Sequence, residues 1–141
     1  MFDLSNKVAL VTGATGGIGA DIARDLHKQG ATIAITGRNT EKLDALKAEL
    51  GERVESFPAD LSAPDAASEL VKAVDEKLGQ IDILVNNAGL TRDNLAMRMK
   101  DEDWQQVLDV NLTAPFKLAQ ACLRGMMKRR FGRIINISSI V

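Results

Sequence analysis

The chain has 141 residues, enough for one domain with a core of its own. Hydrophobic residues make up 45% and the net charge is −1, which fits a globular domain and argues against a nucleic-acid binder held by bulk electrostatics. No apolar run approaches the ~20 residues of a membrane-crossing helix, and Met1 to Lys7 lacks the basic start and apolar centre of a secretory signal.

The first apolar segment, Val8-Ala9-Leu10-Val11, reads as a buried strand. Thr12-Gly13-Ala14-Thr15-Gly16-Gly17-Ile18-Gly19 follows, and then a helical pattern with Ile18, Ile22, Ala23 and Leu26 on one face. Each glycine has a physical use here. Gly13 can take backbone angles closed to other residues, so the chain reverses sharply. Gly16 and Gly17 leave backbone N–H groups open to a phosphate, and Gly19 lets the first helical turn lie close to the strand. The helix N-terminus adds unpaired donors and a partial positive charge. No Lys-Ser/Thr pair follows, which disfavours a nucleoside-triphosphate loop. Such a turn alone could be a tight structural connection; with the strand before and the helix after, it fits dinucleotide binding.

His27, the sole histidine, sits late in this helix as a surface residue or last-turn dipole partner, so a histidine-based metal site is not expected. Gly30 ends the helix, and Ala31 to Thr36 reads as the second strand. Leu43, Leu46 and Leu50 mark a second helix, and Val54 to Phe57 a third strand. Ser62-Ala63-Pro64-Asp65 predicts a capping box opening a third helix, whose apolar face is Ala67, Leu70, Val71, Val74 and Leu78. Ile81 to Val85 is a fourth strand, ending at Asn86-Asn87-Ala88-Gly89. A polar loop runs from Leu90 to Lys100, helix resumes near Asp101, and Asn111 separates it from the next helix. Ile134 to Ile137 is the fifth strand.

This alternation predicts an α/β fold of Rossmann type: a doubly wound parallel sheet, strand order 3-2-1-4-5, covered by helices on both faces. A ligand then belongs outside the C-terminal strand ends, near the switch between strands 1 and 4. The unusual polar stretches all fall there: the glycine turn, Gly37-Arg38, Asp60, Asn86 to Gly89, and Ser138-Ser139.

The helix from Leu112 to Arg130 has one apolar row of Leu112, Phe116, Ala119, Leu123 and Met126 and another of Leu118, Ala121, Cys122 and Gly125. One row can pack on the sheet. The other needs further chain or a second subunit, unless its small residues tolerate exposure. Cys122 reads as core, and a lone cysteine suits a reducing cytoplasm.

Taken in order, Thr12-Gly13-x-x-x-Gly17-Ile18-Gly19, Asn86-Asn87-Ala88-Gly89, Asn111 and Ile137-Ser138-Ser139 resemble the short-chain dehydrogenase/reductase family along the whole chain. Leu90 to Lys100 and Asp101-Glu102-Asp103-Trp104 look more specifically like its bacterial 3-oxoacyl-[acyl-carrier-protein] reductases, homotetramers of fatty-acid synthesis that use NADPH. The resemblance implies that Gly13, Thr15, Gly16, Ile18 and Gly19 hold the pyrophosphate and its ribose, and that Asp60 and Leu61 hold the adenine, although Asp60 could equally begin the capping turn. Asn87 would meet the cofactor ribose through its backbone, while Asn86 ties neighbouring strands together. NAD binders place an acid near the end of strand 2; Gly37-Arg38 stands there instead, and a guanidinium suits the 2′-phosphate of NADPH.

Ser139 matches the serine that hydrogen-bonds the substrate carbonyl, and Asn111 the asparagine of the proton relay, with a helix-junction cap as its other role. The basic cluster with Arg129 and Arg130 near a helix C-terminus serves either dipole complementarity or docking of an acidic acyl carrier protein, Arg130 foremost. The chain has no tyrosine, so the family's Tyr-x-x-x-Lys is absent. Residues 1–141 are therefore expected to be the N-terminal portion of a longer reductase, truncated after strand 5, weak in cofactor binding and inactive alone. Another short-chain reductase of different substrate, or a non-catalytic nucleotide-binding module, are the alternatives.

Overall fold

Short apolar strands alternate with helices along the whole chain in the computed structural model, which describes residues 2–140. The elements are β1 (Val8–Val11), α1 (Gly17–Lys28), β2 (Thr32–Gly37), α2 (Thr40–Leu50), β3 (Val54–Pro58), α3 (Ala66–Leu78), β4 (Ile83–Asn86), α4 (Asp101–Leu108), α5 (Ala114–Arg129) and β5 (Arg133–Asn136). They build one parallel sheet in the order β3-β2-β1-β4-β5, as the sequence predicts. Strand bounds move by one or two residues, and a single 3-10 turn, Ala96–Arg98, interrupts the polar loop.

Alternation along each strand divides the core in two. Ala9 and Val11 face one side with Ile33, Ile35, Ile83 and Val85, under α1 and α2. Leu10, Ala34 and Leu84 face the other, under α3 and α5. The central strands are therefore apolar on both faces along most of their length, as a parallel sheet covered on both faces requires.

Three local expectations change. Ser62-Ala63-Pro64-Asp65 is not a capping box: α3 starts at Ala66, and the Asp65 side chain makes no cap bond. Ser62 instead gives its hydroxyl (2.7 Å) and its backbone N–H (3.0 Å) to Asp60 Oδ1, an ionised acceptor two residues away. Asp60 thus does begin the turn. Second, Asn111 does not separate two helices. The chain passes from α4 to α5 through a π turn, Asp109–Thr113. Pro115 has no N–H to give the Asn111 carbonyl, so the regular i→i−4 ladder cannot continue there.

Third, the two apolar rows of α5 divide differently. Ala114, Leu118, Cys122 and Met126, four residues apart, are the buried line. Leu112, Phe116 (65% exposed), Leu123 and Met127 (73%) form a stripe that no described residue covers.

At the end of the sheet where the strands begin, the Asp82 carboxylate is buried. It accepts from Val8 N–H (2.9 Å) and Gln80 Nε2 (2.7 Å) and stands 3.8 Å from Arg129 Nε. Arg129 reaches this point by lying over Gly125, where a Cβ would come within 2.9 Å of Nη1, and it also donates to the Ile81 carbonyl (2.7 Å). His27, on the surface of α1, meets the Glu52 carbonyl at 2.8 Å. Among the described residues no helix is long and apolar enough to cross a membrane.

Burial of Cys122, with the Asp75 carboxylate near it, pushes its thiol up to about 12. At pH 8 the thiol stays protonated, so iodoacetamide labelling of the folded chain should be slow and should accelerate in step with urea unfolding followed by circular dichroism. Rapid labelling in native buffer would contradict this placement.

Candidate functional site

The site grows from one hydroxyl at the end of β1. Thr12 is buried, and its Oγ1 accepts from the backbone N–H groups of Asn87 (3.0 Å) and Ala88 (2.9 Å) while donating to the Val85 carbonyl (3.3 Å). One donor and two acceptor positions are all a hydroxyl has, so Thr12 is fully used in joining the ends of β1 and β4. Asn87 returns the tie: its Nδ2 donates to the carbonyls of Thr12 (3.2 Å) and Gly13 (3.3 Å). On the other side, Ala14 N–H donates to the Thr36 carbonyl of β2 (3.0 Å).

The glycines fit this close packing. Gly13 has φ +64°, and a Cβ there would lie 2.9 Å from Ala88 Cα. At Gly19 a Cβ would collide with the Gly13 carbonyl oxygen and come within 2.6 Å of Asn87 Nδ2. Gly17 is the opposite case, with no protein atom within 4 Å of a Cβ position. The inner side of the turn is closed against β4, and its outer side is open. Gly16, the N-cap of α1, places no side chain over the first helical N–H groups. Those donors are available to an anion, so the turn fits a pyrophosphate.

A cleft of about 380 Å³ opens over this turn. The residues that the sequence points to for the cofactor all line it: Gly13, Thr15, Gly16, Ile18 and Gly19 on the turn, Arg38 after β2, Asp60 and Leu61 after β3, and Asn87 after β4. Arg38 is the cation of the lining and Asp60 its carboxylate. The hydrogen bond from the Ser62 hydroxyl, then that from the Ser62 N–H, and the charge of Arg38 hold the Asp60 carboxyl below its ordinary range. Asp60 is therefore an ionised acceptor at neutral pH.

Sequence reasoning left out Thr36, Ala59, Leu90 and Val110, which also line the cleft. It also left out the Thr12 hydroxyl as a junction. The signal for Thr12 is its place at the end of a buried strand, where a hydroxyl must find partners.

Asn111 and Ser139 are not in the lining. The Asn111 amide is committed to one residue: Nδ2 donates to the Leu90 carbonyl (2.8 Å) and Oδ1 accepts from Leu90 N–H (2.9 Å). It caps no helix; it fixes Leu90 at the rim. Ser139 lies just past the C-terminal end of β5, where Ile137 N–H still pairs with the Asn86 carbonyl (2.9 Å). Asn86 Nδ2 donates to Asn136 Oδ1 (2.9 Å), so Asn86 does tie neighbouring strands.

The basic cluster lies elsewhere. α5 returns along the sheet and delivers the chain to the start of β5, so Arg129 and Arg130 stand at the end opposite the cleft. Arg129 is engaged with Ile81 and Asp82, while Arg124, Lys128 and Arg130 are exposed cations.

The short chain dehydrogenase family model matches residues 7–141. Nodulation protein G of Rhizobium sp. (strain N33) is 55% identical over 141 residues, covering all of this chain and 58% of that protein. The 3-oxoacyl-[acyl-carrier-protein] reductase FabG of Haemophilus influenzae is 46% identical over 98% of this chain and 57% of its own length. The chain thus spans under two thirds of these relatives. Among solved structures, a metagenomic short-chain oxidoreductase in complex with NADP superposes with a TM-score of 0.92 at 42% identity, over 97% of this chain and 64% of that one.

Replacing Thr12 by Val should leave two backbone donors of the β4 end without an acceptor and cost roughly 1–3 kcal/mol per donor, with Thr12→Ser costing less, as read by urea denaturation. Equal stability of the valine and serine variants would contradict the junction.

Proposed function

Since the chain belongs to the short chain dehydrogenase family, we propose that it forms the NADPH-binding N-terminal domain of a 3-oxoacyl-[acyl-carrier-protein] reductase of fatty-acid synthesis. One observation carries the cofactor assignment: the glycine turn, Arg38, Asp60 and Asn87 converge on a single cleft from the ends of four strands. The open N–H groups of the turn receive the pyrophosphate. Arg38 pairs with the 2′-phosphate through charge-assisted hydrogen bonds, and the Asp60 carboxylate accepts from the exocyclic amine of adenine.

NADPH, when bound, supplies a hydride to the substrate ketone. Ser139, past the end of β5, donates a hydrogen bond to the oxygen as it gains charge. Asn111 acts through Leu90, holding the rim of the cleft in place. The chain contains no tyrosine, so in this proposal the Tyr-x-x-x-Lys of the family comes from outside these 141 residues. The present chain is expected to bind the cofactor weakly and to catalyse nothing by itself.

Identity to the FabG reductases favours the acyl-carrier-protein thioester as substrate. Greater identity to the Nodulation protein G relatives favours a second assignment, a short-chain reductase of different substrate. In the first, the exposed cations Arg124, Lys128 and Arg130 dock the acidic carrier protein, with Arg130 foremost. The stripe of Leu112, Phe116, Leu123 and Met127 receives another copy of the chain, in keeping with a cytoplasmic homo-oligomer.

NADPH should raise the melting temperature of the chain more than NADH does at equal concentration. Arg38→Ala should weaken NADPH binding by about tenfold while leaving NADH nearly unchanged, as read by calorimetry. An equal loss for both cofactors would remove Arg38 from phosphate recognition, and no response to either would remove the cofactor assignment. Phe116→Asp should lower the mass seen by analytical ultracentrifugation if the stripe is an interface between copies.

A further inference from the structure

We infer, on the cofactor assignment proposed above, that Ser62 is a positioning residue for base recognition: its hydroxyl orients the Asp60 carboxylate so that the cleft selects a 6-aminopurine over a 6-oxopurine. The residue is the one that forms no capping box. Its hydroxyl (2.7 Å) and its N–H (3.0 Å) both go to Asp60 Oδ1. No donor among the described residues reaches Oδ2. Asp60 lines the cleft, whereas Ser62 stands outside the lining and faces a neighbouring open depression beside α4. Ser62 therefore acts through Asp60.

The turn that carries the pair is itself fixed. Ala63 N–H donates to the Asp60 carbonyl (3.1 Å), and Lys117 Nζ, reaching across from α5, donates to the Pro64 carbonyl (2.9 Å). An exposed aspartate normally loses side-chain freedom on meeting a ligand. Here that freedom is removed beforehand by two bonds to one oxygen, which leaves the other for the ligand. The same two bonds lower the carboxyl further below its ordinary range, because both donate to the charged form. An ionised carboxylate attracts the N–H of a 6-amino group and repels the carbonyl oxygen that a 6-oxopurine places there. The hydroxyl gives the shorter of the two bonds, so threonine conserves it, and alanine removes it while keeping the N–H bond.

Calorimetric titration of the chain with NADPH and with its hypoxanthine analogue tests this. The wild-type chain should prefer NADPH by about tenfold, the worth of a hydrogen bond to a charged group. Ser62→Ala should lose part of that preference by weakening NADPH alone, with the analogue unchanged, and Ser62→Thr should keep it. Unchanged analogue binding also shows that the cleft of the alanine variant remains folded. An equal loss for both ligands, or no loss for either, would overturn the inference and reduce Ser62 to a turn residue. A wild-type chain that binds NADPH without base preference would overturn it and spare the cofactor assignment. A wild-type chain that binds neither ligand would overturn both.

Discussion

The close approach between the end of β1 and the end of β4 is the constraint on which the cleft depends. Two chain segments some 75 residues apart are joined by the Thr12 hydroxyl and the Asn87 amide, and the backbone between them is too crowded for a Cβ at Gly13 or Gly19. Within the turn, Ala14 N–H is spent on the Thr36 carbonyl and Gly16 N–H on the Gly13 carbonyl, so the donors left for an anion are those of the first turn of α1. The open outer side of the turn is thus a consequence of how two strands meet, and the absence of side chains at Gly16 and Gly17 keeps it uncovered.

The two ends of the sheet are built by different physics. Where the strands finish, polar groups face a cleft and leave donors and acceptors unspent. Where they begin, the polar groups are consumed: Asp82 satisfies the first N–H of β1 and faces Arg129, which in turn holds the Ile81 carbonyl. An uncompensated buried carboxylate at that position would be costly, so the partners of Asp82 are structural necessities. Arg129, which a linear reading groups with Arg130 as one basic patch, therefore belongs to the scaffold, and Arg130 to the surface.

A helix that changes pitch connects the cleft to the exposed stripe. The π turn carries Asn111 to Leu90 at the rim of the cleft and leaves Leu112 exposed, and α5 beyond it continues the exposed stripe with Phe116. Pro115 accounts for the local break in the hydrogen-bond ladder, and the π turn takes up the added residue without ending the helix.

The strand order, the two-sided core and nine of the residues that line the cleft were legible in the sequence, because each rests on local chemistry: apolar runs of strand length, glycines where a turn must be bare, and polar residues placed just past strand ends. Ser62 and Asn111 were not legible in the same way. Both are good capping residues by type, and type alone could not reveal that a nearer charged acceptor takes Ser62 or that Leu90, 21 residues away, takes both ends of the Asn111 amide. The division of the α5 rows, the engagement of Arg129 and the role of Thr12 likewise waited for the fold. Hydrogen bonds between distant segments depend on which groups the packing brings within about 3 Å, and a linear sequence carries no such distances. The sequence by itself determined which elements form and which chemistry gathers at the strand ends; the tertiary structure decided which polar side chains are spent in holding those ends together and which remain free to meet a ligand.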